Sequence, residues 1–443
     1  MSAGSYVFII QLMKKFILAL VFLGNAAVIT AIWLKGSQDL LLSRNPAFVL
    51  IAWGRVSGLF LEYLLLVQIV LMGRITFLEN LFGHDGLNRI HRWLGYSLAG
   101  FLVLHPLLLS FGYGKAAGIH FIPQFLLFIK NWEDVLNAVL GVLALLVVIA
   151  TSVLIRKKVL YESWYFVHLL AYVAIFLAFG HQTQTADVTS GGALFYWYAL
   201  NFAFGGTFIA YRWIRPFWNF YRHNFFVEKI IQETPDIFSV YIGGKNLEKF
   251  KFRAGQFANL NFIQKNLWFT HPFSFSAAPT GKHLRFTVKT LGDFTSKISQ
   301  IRPKTKVIID GPLGAFVASG DKNKYLFLAG GVGITPIRAL MEDLAGKNKD
   351  LALVYSAKTK NSLAFFNELN AINSKNYFVL TGEQVNGFHS GRIDAGKIKD
   401  AAPDFMQREI FVCGPKKMIS GVINALKTLG VPKNQIHFER FEY

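Results

Sequence analysis

Apolar residues dominate six stretches in the first half of the chain, at approximately 16–34, 47–72, 92–111, 133–155, 160–180 and 193–213. Each is near the length of a bilayer crossing, which takes about 20 apolar residues, so the pattern predicts six transmembrane helices. The first follows Lys14 and Lys15, as a signal sequence would, but its apolar core exceeds a typical signal segment and a retained span is expected. After residue 218 the pattern changes. FFVEKII, FSVYIGG, FANLNF, LRFTVKT and KVIID alternate in hydrophobicity between glycine-bearing turns, which predicts a small antiparallel β-barrel over 219–319. Over 320–443 strand and helix patterns take turns: YLFLAGG then ITPIRALMEDL, LALVYSA then AFFNELNAI, EIFVCGP then KKMISGVINALKTL. That order predicts a parallel sheet with flanking helices, an α/β Rossmann-like domain. The expected architecture is a multidomain membrane protein: a six-helix transmembrane bundle over 1–218, then the barrel, then the α/β domain.

Composition agrees with a membrane half joined to a soluble half. The 443 residues are 53% hydrophobic, with 43 Phe and only 16% charged residues, too apolar for a soluble chain of this length. The net charge of +20 does not point to nucleic acid, because no basic helix interleaved with stacking aromatics appears. Lys and Arg collect instead at alternate ends of the apolar stretches: Lys14 and Lys15, then Arg74, Arg89 and Arg92, then Arg156, Lys157 and Lys158, then Arg212, Arg215 and Arg222. The positive-inside rule therefore places the N-terminus and the C-terminal half in the cytoplasm, beneath a plasma or cell inner membrane. Cys413 is the only cysteine. A disulfide framework, a four-cysteine metal site and c-type haem attachment are excluded, so membrane redox centres would have to be held by histidine.

His91 and His105 bracket the third apolar stretch, and His168 and His181 the fifth. With the N-terminus inside, both spans run from inside to outside. At 1.5 Å rise per residue, spacings of 14 and 13 residues put about 20 Å between the members of each couple. Two parallel helices would then offer two His–His pairs at matching depths, each able to ligate one haem iron axially. One interfacial histidine is commonly a polar anchor; four at matched depths favour iron ligands. Thirteen residues leave His181 off the face of His168, and loosening at Gly180 is one way to realign it. His84 and His120 fall in loops without partners. Arg55, inside the second span, needs an anion, either a haem propionate or Glu62 seven residues on.

LAGGVGITPIRAL joins a buried strand to a helix. Gly330, Gly331 and Gly333 would let backbone approach a diphosphate, Thr335 reads as an N-cap and Pro336 as the first helical residue. The spacing is not GxGxxG, so the signal gains weight only with its neighbours.

Those neighbours are HPFSFSAAP (271–279) and FTVKTLGDFTSKI (286–298). With RAGQF, DGPLGAF, LAGGVGITP and VCGPKKM in order, they resemble the ferredoxin–NADP reductase fold. Joined to the four-histidine membrane half, the chain from about 47 to 443 resembles the ferric reductase and NADPH oxidase superfamily. The resemblance implies that the barrel binds FAD and the α/β domain NADPH or NADH, with two haem b in the membrane. Pro272, Phe273 and Ser274 would line the flavin, the Ser274 hydroxyl near its reactive nitrogen, and His271 stands where membrane oxidases also have histidine. Lys289, Thr295 and Ser296 would hold FAD phosphates or ribityl hydroxyls. Cys413, Gly414 and Pro415 would face the nicotinamide, and Phe441 would stack on the flavin until nicotinamide displaces it. Each role has a plainer counterpart: Cys413 as a small core residue, Phe441 as packing with Tyr443 as the rival ring, Lys358 as a surface lysine rather than a 2′-phosphate ligand.

The function implied is NAD(P)H-driven electron transfer through FAD and two haems to an extracytoplasmic small molecule, dioxygen giving superoxide or, as the alternative, ferric iron. In animal oxidases a further histidine lies four residues after the outer ligand of the third span; Leu109 stands there in this chain. A haem subunit relaying electrons to a partner protein is the reading of another class, and a complete flavin–nicotinamide module on the same chain argues against it. No obligatory protein partner is expected.

Overall fold

The computed structural model describes residues 3–156, 158–159, 161–184, 187–189, 191–265 and 267–440. Two compact units emerge. One comprises Tyr6–Ile75 and Asp85–Tyr211; the other comprises mainly Arg212–Tyr443 with Thr76–His84.

In the first unit, six helices are long and apolar enough to cross a membrane: Leu12–Gly36, Pro46–Leu71, His84–Ala117, Val135–Ile155, Ser163–Gln182 and Gly191–His223. The second is the most buried of them and works as a central post. On one side Ile29, Trp33, Ala52, Val56, Tyr63 and Trp197 join spans one, two and six. On another, Leu64, Leu65, Leu98, Leu102, Leu145 and Ala174 join spans two to five. Close approach is built on small residues, as expected where packing rather than water drives helix association. Span two carries Gly54 and Gly58, four residues apart, against span three. His84 begins the helix of span three rather than lying in a loop, and His120 immediately precedes a further helix, Phe121–Asn131.

Two of the spans are irregular. Span four ends in a wider π turn, Thr151–Ile155. Span five is broken at Leu169, between helices Tyr161–His168 and Leu170–Gln182.

The second unit opens with the helix Arg215–His223 and a barrel of two three-stranded sheets. Strands β1 (Phe226–Thr234), β2 (Ile237–Gly243) and β5 (Leu284–Lys289) form one, in the order β1-β2-β5. β4 (His271–Ser274), β3 (Phe257–Phe262) and β6 (Val307–Leu313) form the other, in the order β4-β3-β6. Phe225, Phe262, Phe275 and Phe286 fill the space between them. The short strand β4 has no alternation of its own and is defined by pairing with β3.

A six-stranded parallel sheet completes the unit, made of β7 (Lys324–Gly330), β8 (Asp350–Ala357), β9 (Lys375–Leu380), β10 (His389–Ser390), β11 (Glu409–Gly414) and β12 (Ile436–Arg440). Its order is β10-β9-β8-β7-β11-β12, with helices covering both faces. The chain starts at β7, moves outward to β10, then returns to lay β11 on the other side of β7. A switch point therefore lies between the carboxyl ends of β7 and β11, where open α/β sheets bind ligands.

Candidate functional site

The four membrane histidines meet in two pairs. The ring centres of His91 and His168 are 6.2 Å apart, and those of His105 and His181 are 6.3 Å apart. An imidazole nitrogen sits about 2 Å from a bound metal and about 1.2 Å from its own ring centre, so two rings on opposite sides of one ion have centres about 6.4 Å apart. Both pairs match that separation, and donors of this kind suit an axially ligated haem iron. The Nδ1 atoms are mostly engaged elsewhere: His105 with the Gly54 carbonyl at 2.8 Å, His181 with the Ala178 carbonyl at 2.6 Å, His168 with Ser152 Oγ at 3.2 Å. Such partners fix ring orientation and leave Nε2 as the ligating atom.

Sequence spacing alone leaves His181 out of phase, yet its ring meets that of His105. Between His168 and His181 the span carries a turn at Leu169, whose backbone stays right-handed helical, and Gly180 lies within the helix Leu170–Gln182. The π turn of span four carries Ser152 to His168, and Ser152 Oγ also accepts from Trp164 Nε1 at 3.1 Å. Gly58 is the notch for His105: a Cβ there would stand 2.5 Å from the ring carbon Cε1.

Arg55 and Glu62 do not pair with each other. Arg55 Nη1 lies 3.7 Å from Asp187 Oδ1, and Nη2 lies 3.4 Å from the Tyr113 hydroxyl. Glu62 accepts from Gln182 Nε2 at 2.9 Å, and Gln182 Oε1 accepts from Trp197 Nε1 at 3.0 Å. Seven residues of helix bring two side chains to one face but two turns apart, and nearer polar partners win.

The nucleotide turn starts one step earlier than its sequence suggests. Gly331–Gly333 form a tight 3-10 turn and the helix Ile334–Ala345 begins directly after it, with Gly333 rather than Thr335 at the cap. Thr335 Oγ1 instead donates to the Val332 carbonyl at 2.9 Å, and Pro336 sits third in the helix, where an N–H would be unbonded anyway. Glycine is required at Gly333, since a Cβ would overlap the backbone carbonyl of Cys413, whereas at Gly330 it would press on Met418 Sδ, part of a flexible side chain. These contacts seat the β7 turn against Cys413–Gly414 at the switch point. Pro415 caps a second helix there, Lys416–Thr428, so two helix N-termini flank the crevice, a favourable place for a diphosphate. Cys413 is fully buried, and burial, with the Glu439 carboxylate second, pushes its thiol well up. Lys358 is exposed just beyond β8. β12 ends at Arg440 opposite Gly414; Phe441 and its rival Tyr443 lie outside the described residues.

In the barrel, His271 to Ser274 form β4, with Pro272 opposite Asn259 and Ser274 opposite Phe257. The His271 ring lies tilted against Phe294, with centroids 3.9 Å apart, and Phe273 lies 6.3 Å from the same Phe294 ring. Phe294 joins β4 to the Thr295–Gln300 turn, a link that sequence reasoning did not single out. Thr295 Oγ1 accepts from Leu291 and Gly292 N–H, Ser296 Oγ donates to the Asp293 carbonyl, and Lys289 pairs with Asp236 at 3.2 Å. Thr295 and Ser296 thus bond within their own turn, while Lys289 reaches the β1–β2 turn.

Sequence reasoning also missed Gly58, Ser152, Gln182 and the guanidinium network of Arg285 and Arg338. The first two carried a signal: a small-x-x-x-small pattern in GRVSG and a polar TS pair inside an apolar run.

Three family models match the chain. Residues 57–179 match the ferric reductase like transmembrane component, 224–317 an FAD-binding domain and 327–423 the oxidoreductase NAD-binding domain. The chain thus joins a ferric reductase-like membrane domain to FAD-binding and NAD-binding domains. It is 30% identical over 243 residues to the glycine betaine monooxygenase reductase subunit of Chromohalobacter salexigens, a match covering 51% of this chain and 65% of that protein. It is 25% identical over 221 residues to an NADPH oxidoreductase of Mycobacterium tuberculosis, covering 47% and 57%. The chain spans under two thirds of the length of these relatives. Among solved structures, the FAD/NAD-binding domain of nitric oxide dioxygenase from Vibrio cholerae is 20% identical, with 49% of this chain and 98% of that chain covered and a TM-score of 0.44.

Proposed function

We propose that this chain is an NAD(P)H oxidase that carries electrons through FAD and two haem b across the membrane to dioxygen, releasing superoxide on the extracytoplasmic side. The observation that carries the reading is the pair of His–His separations, each sized for a shared ion, on two apolar helices of a chain that also has flavin and nicotinamide domains. When bound, FAD accepts a hydride and gives up its electrons singly, which suits iron centres that take one at a time.

The residues divide the work. Gly330, Gly331, Gly333 and the start of the following helix hold the NAD(P)H diphosphate, and Lys358 takes a 2′-phosphate, favouring NADPH. Cys413, Gly414 and Pro415 shape the nicotinamide floor, where a protonated, buried thiol adds no charge. His271, Pro272, Phe273 and Ser274 line the flavin. His91 and His168 hold the inner iron and His105 and His181 the outer, about 21 Å apart along span three at helical rise. Arg55 would answer a propionate on the outer haem. No acid or base catalyst is needed, because the protein sets distances and burial.

A second reading, reduction of a ferric chelate, is favoured by the family whose model matches the membrane half. Cytochrome c reduction by the purified protein, with NADPH and FAD, separates the two. Abolition by superoxide dismutase is expected, and reduction indifferent to the dismutase moves the acceptor to ferric iron. Absorption spectra test the wire itself: b-type bands should be halved by His105→Ala, and spectra without such bands would sink the proposal.

A further inference from the structure

From Tyr6 onward the chain passes between its two compact units three times, after Ile75, after His84 and after Tyr211. Residues just beyond two of these crossings are gathered on one strand of the barrel. Arg215, four residues beyond the third, donates through Nη2 to Asp310 Oδ1 on β6 and through Nη1 to Thr76 Oγ1 at 3.1 Å. Thr76 is the first residue after the first crossing. Asn219, one turn on from Arg215, adds a bond from Nδ2 to the Gly311 carbonyl at 3.4 Å. Asp310 is 3% exposed and the Arg215 side chain 19%, so the ion pair is largely shielded from solvent, where truncating one partner has a large effect.

Asp310 also has a fixed place in the sheet. It lies opposite Asn259 on β3, and Asn259 lies opposite Pro272 on β4. One cross-strand row therefore runs from the ion pair to the strand that lines the flavin. We propose that Arg215, with Asp310 and Thr76, is a positioning clasp that ties the chain leaving spans two and six to this row, so that cutting it slows electron delivery from the flavin to the inner iron. The clasp touches neither flavin nor nicotinamide. This inference rests on the electron path proposed above.

The test uses the full-length protein and the variants Arg215→Ala, Asp310→Asn and their combination. Anaerobic rapid mixing with NADPH tracks flavin bleaching and haem reduction separately. Flavin bleaching should keep its wild-type rate, while haem reduction slows about tenfold or more, since ångström misplacement has effects of that order. The double variant should be no slower than either single, as expected for two halves of one contact. Amide exchange over 76–82 should accelerate in every variant. Equal slowing of both steps would mean general damage to the fold and would overturn the proposal, as would unchanged haem reduction or unchanged exchange. A wild-type protein without haem bands would fail the electron path instead, and exchange alone would then decide whether the clasp exists.

Discussion

Single residues decide whether the membrane pairs can form. Gly58 is the sharpest case, because its missing Cβ is the space occupied by the His105 ring, with ring atoms at 2.5 and 2.6 Å from where that carbon would stand. Overpacking of this kind typically costs about 1–3 kcal/mol, and the ring, held at Nδ1 by Gly54, has little freedom to yield. Gly58→Ala should therefore lose the outer haem while keeping the inner, read as a halved haem-to-protein ratio. A full complement in that variant would show that the ring swings clear. Cys413 makes the opposite point. Its thiol is buried and pushed up, so it stays protonated and hidden through the physiological range. Native protein at pH 8 should resist thiol alkylation, and only denatured protein should label at one site per chain; rapid labelling of the native form would contradict this burial.

At the scale of elements, irregularity does what ideal geometry would not. A regular helix from His168 to His181 would place the two rings on different faces, yet both meet partners on span three, with a turn at Leu169 between them. That turn is illegible in YFVHLLAYV, which has neither glycine nor proline to mark it. The spans themselves were legible, because lipid demands long apolar helices whatever their contacts. So was the order of strands and helices in the soluble half, apart from β4, which exists only as a partner of β3. At the nucleotide turn, the glycines were readable but the cap was not, because Gly333 is fixed there by the Cys413 carbonyl from β11, eighty positions away in the chain. Gly333→Ala should push the helix start away from that carbonyl and raise the KM for NADPH, with flavin content unchanged. Equal loss of flavin would mean that the turn supports the whole fold rather than the nucleotide.

Across the second unit, barrel and sheet are joined by charges that no periodicity reveals. Arg285 of β5 makes a forked contact with Glu368, at 2.9 and 3.1 Å, and Arg338 reaches the same carboxylate at 2.8 Å. Both guanidinium groups also donate to the Ser276 carbonyl, and Glu342 accepts from Ala278 N–H. The strap after the flavin-lining strand is thus tied to the helix that succeeds the nucleotide turn. Burial alone would raise the Glu368 carboxyl, but hydrogen bonds and charge from Arg285 and Arg338 outweigh it and hold it below the usual carboxylate range. A depressed carboxyl contributes stability above its unfolded value, near pH 4.3, and loses it as acid protonates the folded form. Glu368→Gln leaves Arg285, 4% exposed, without its anion. A fully buried pair broken this way loses about 3–5 kcal/mol; with Glu368 itself 37% exposed and water available to the guanidinium, about 2 kcal/mol is expected. Heating the full-length protein at pH 7 and monitoring flavin release should show the variant letting go earlier than wild type. On moving well below pH 4 the two curves should converge, because wild type then loses the contact that the variant already lacks. A gap that persists unchanged in acid would mean that shape, not charge, joins the two domains.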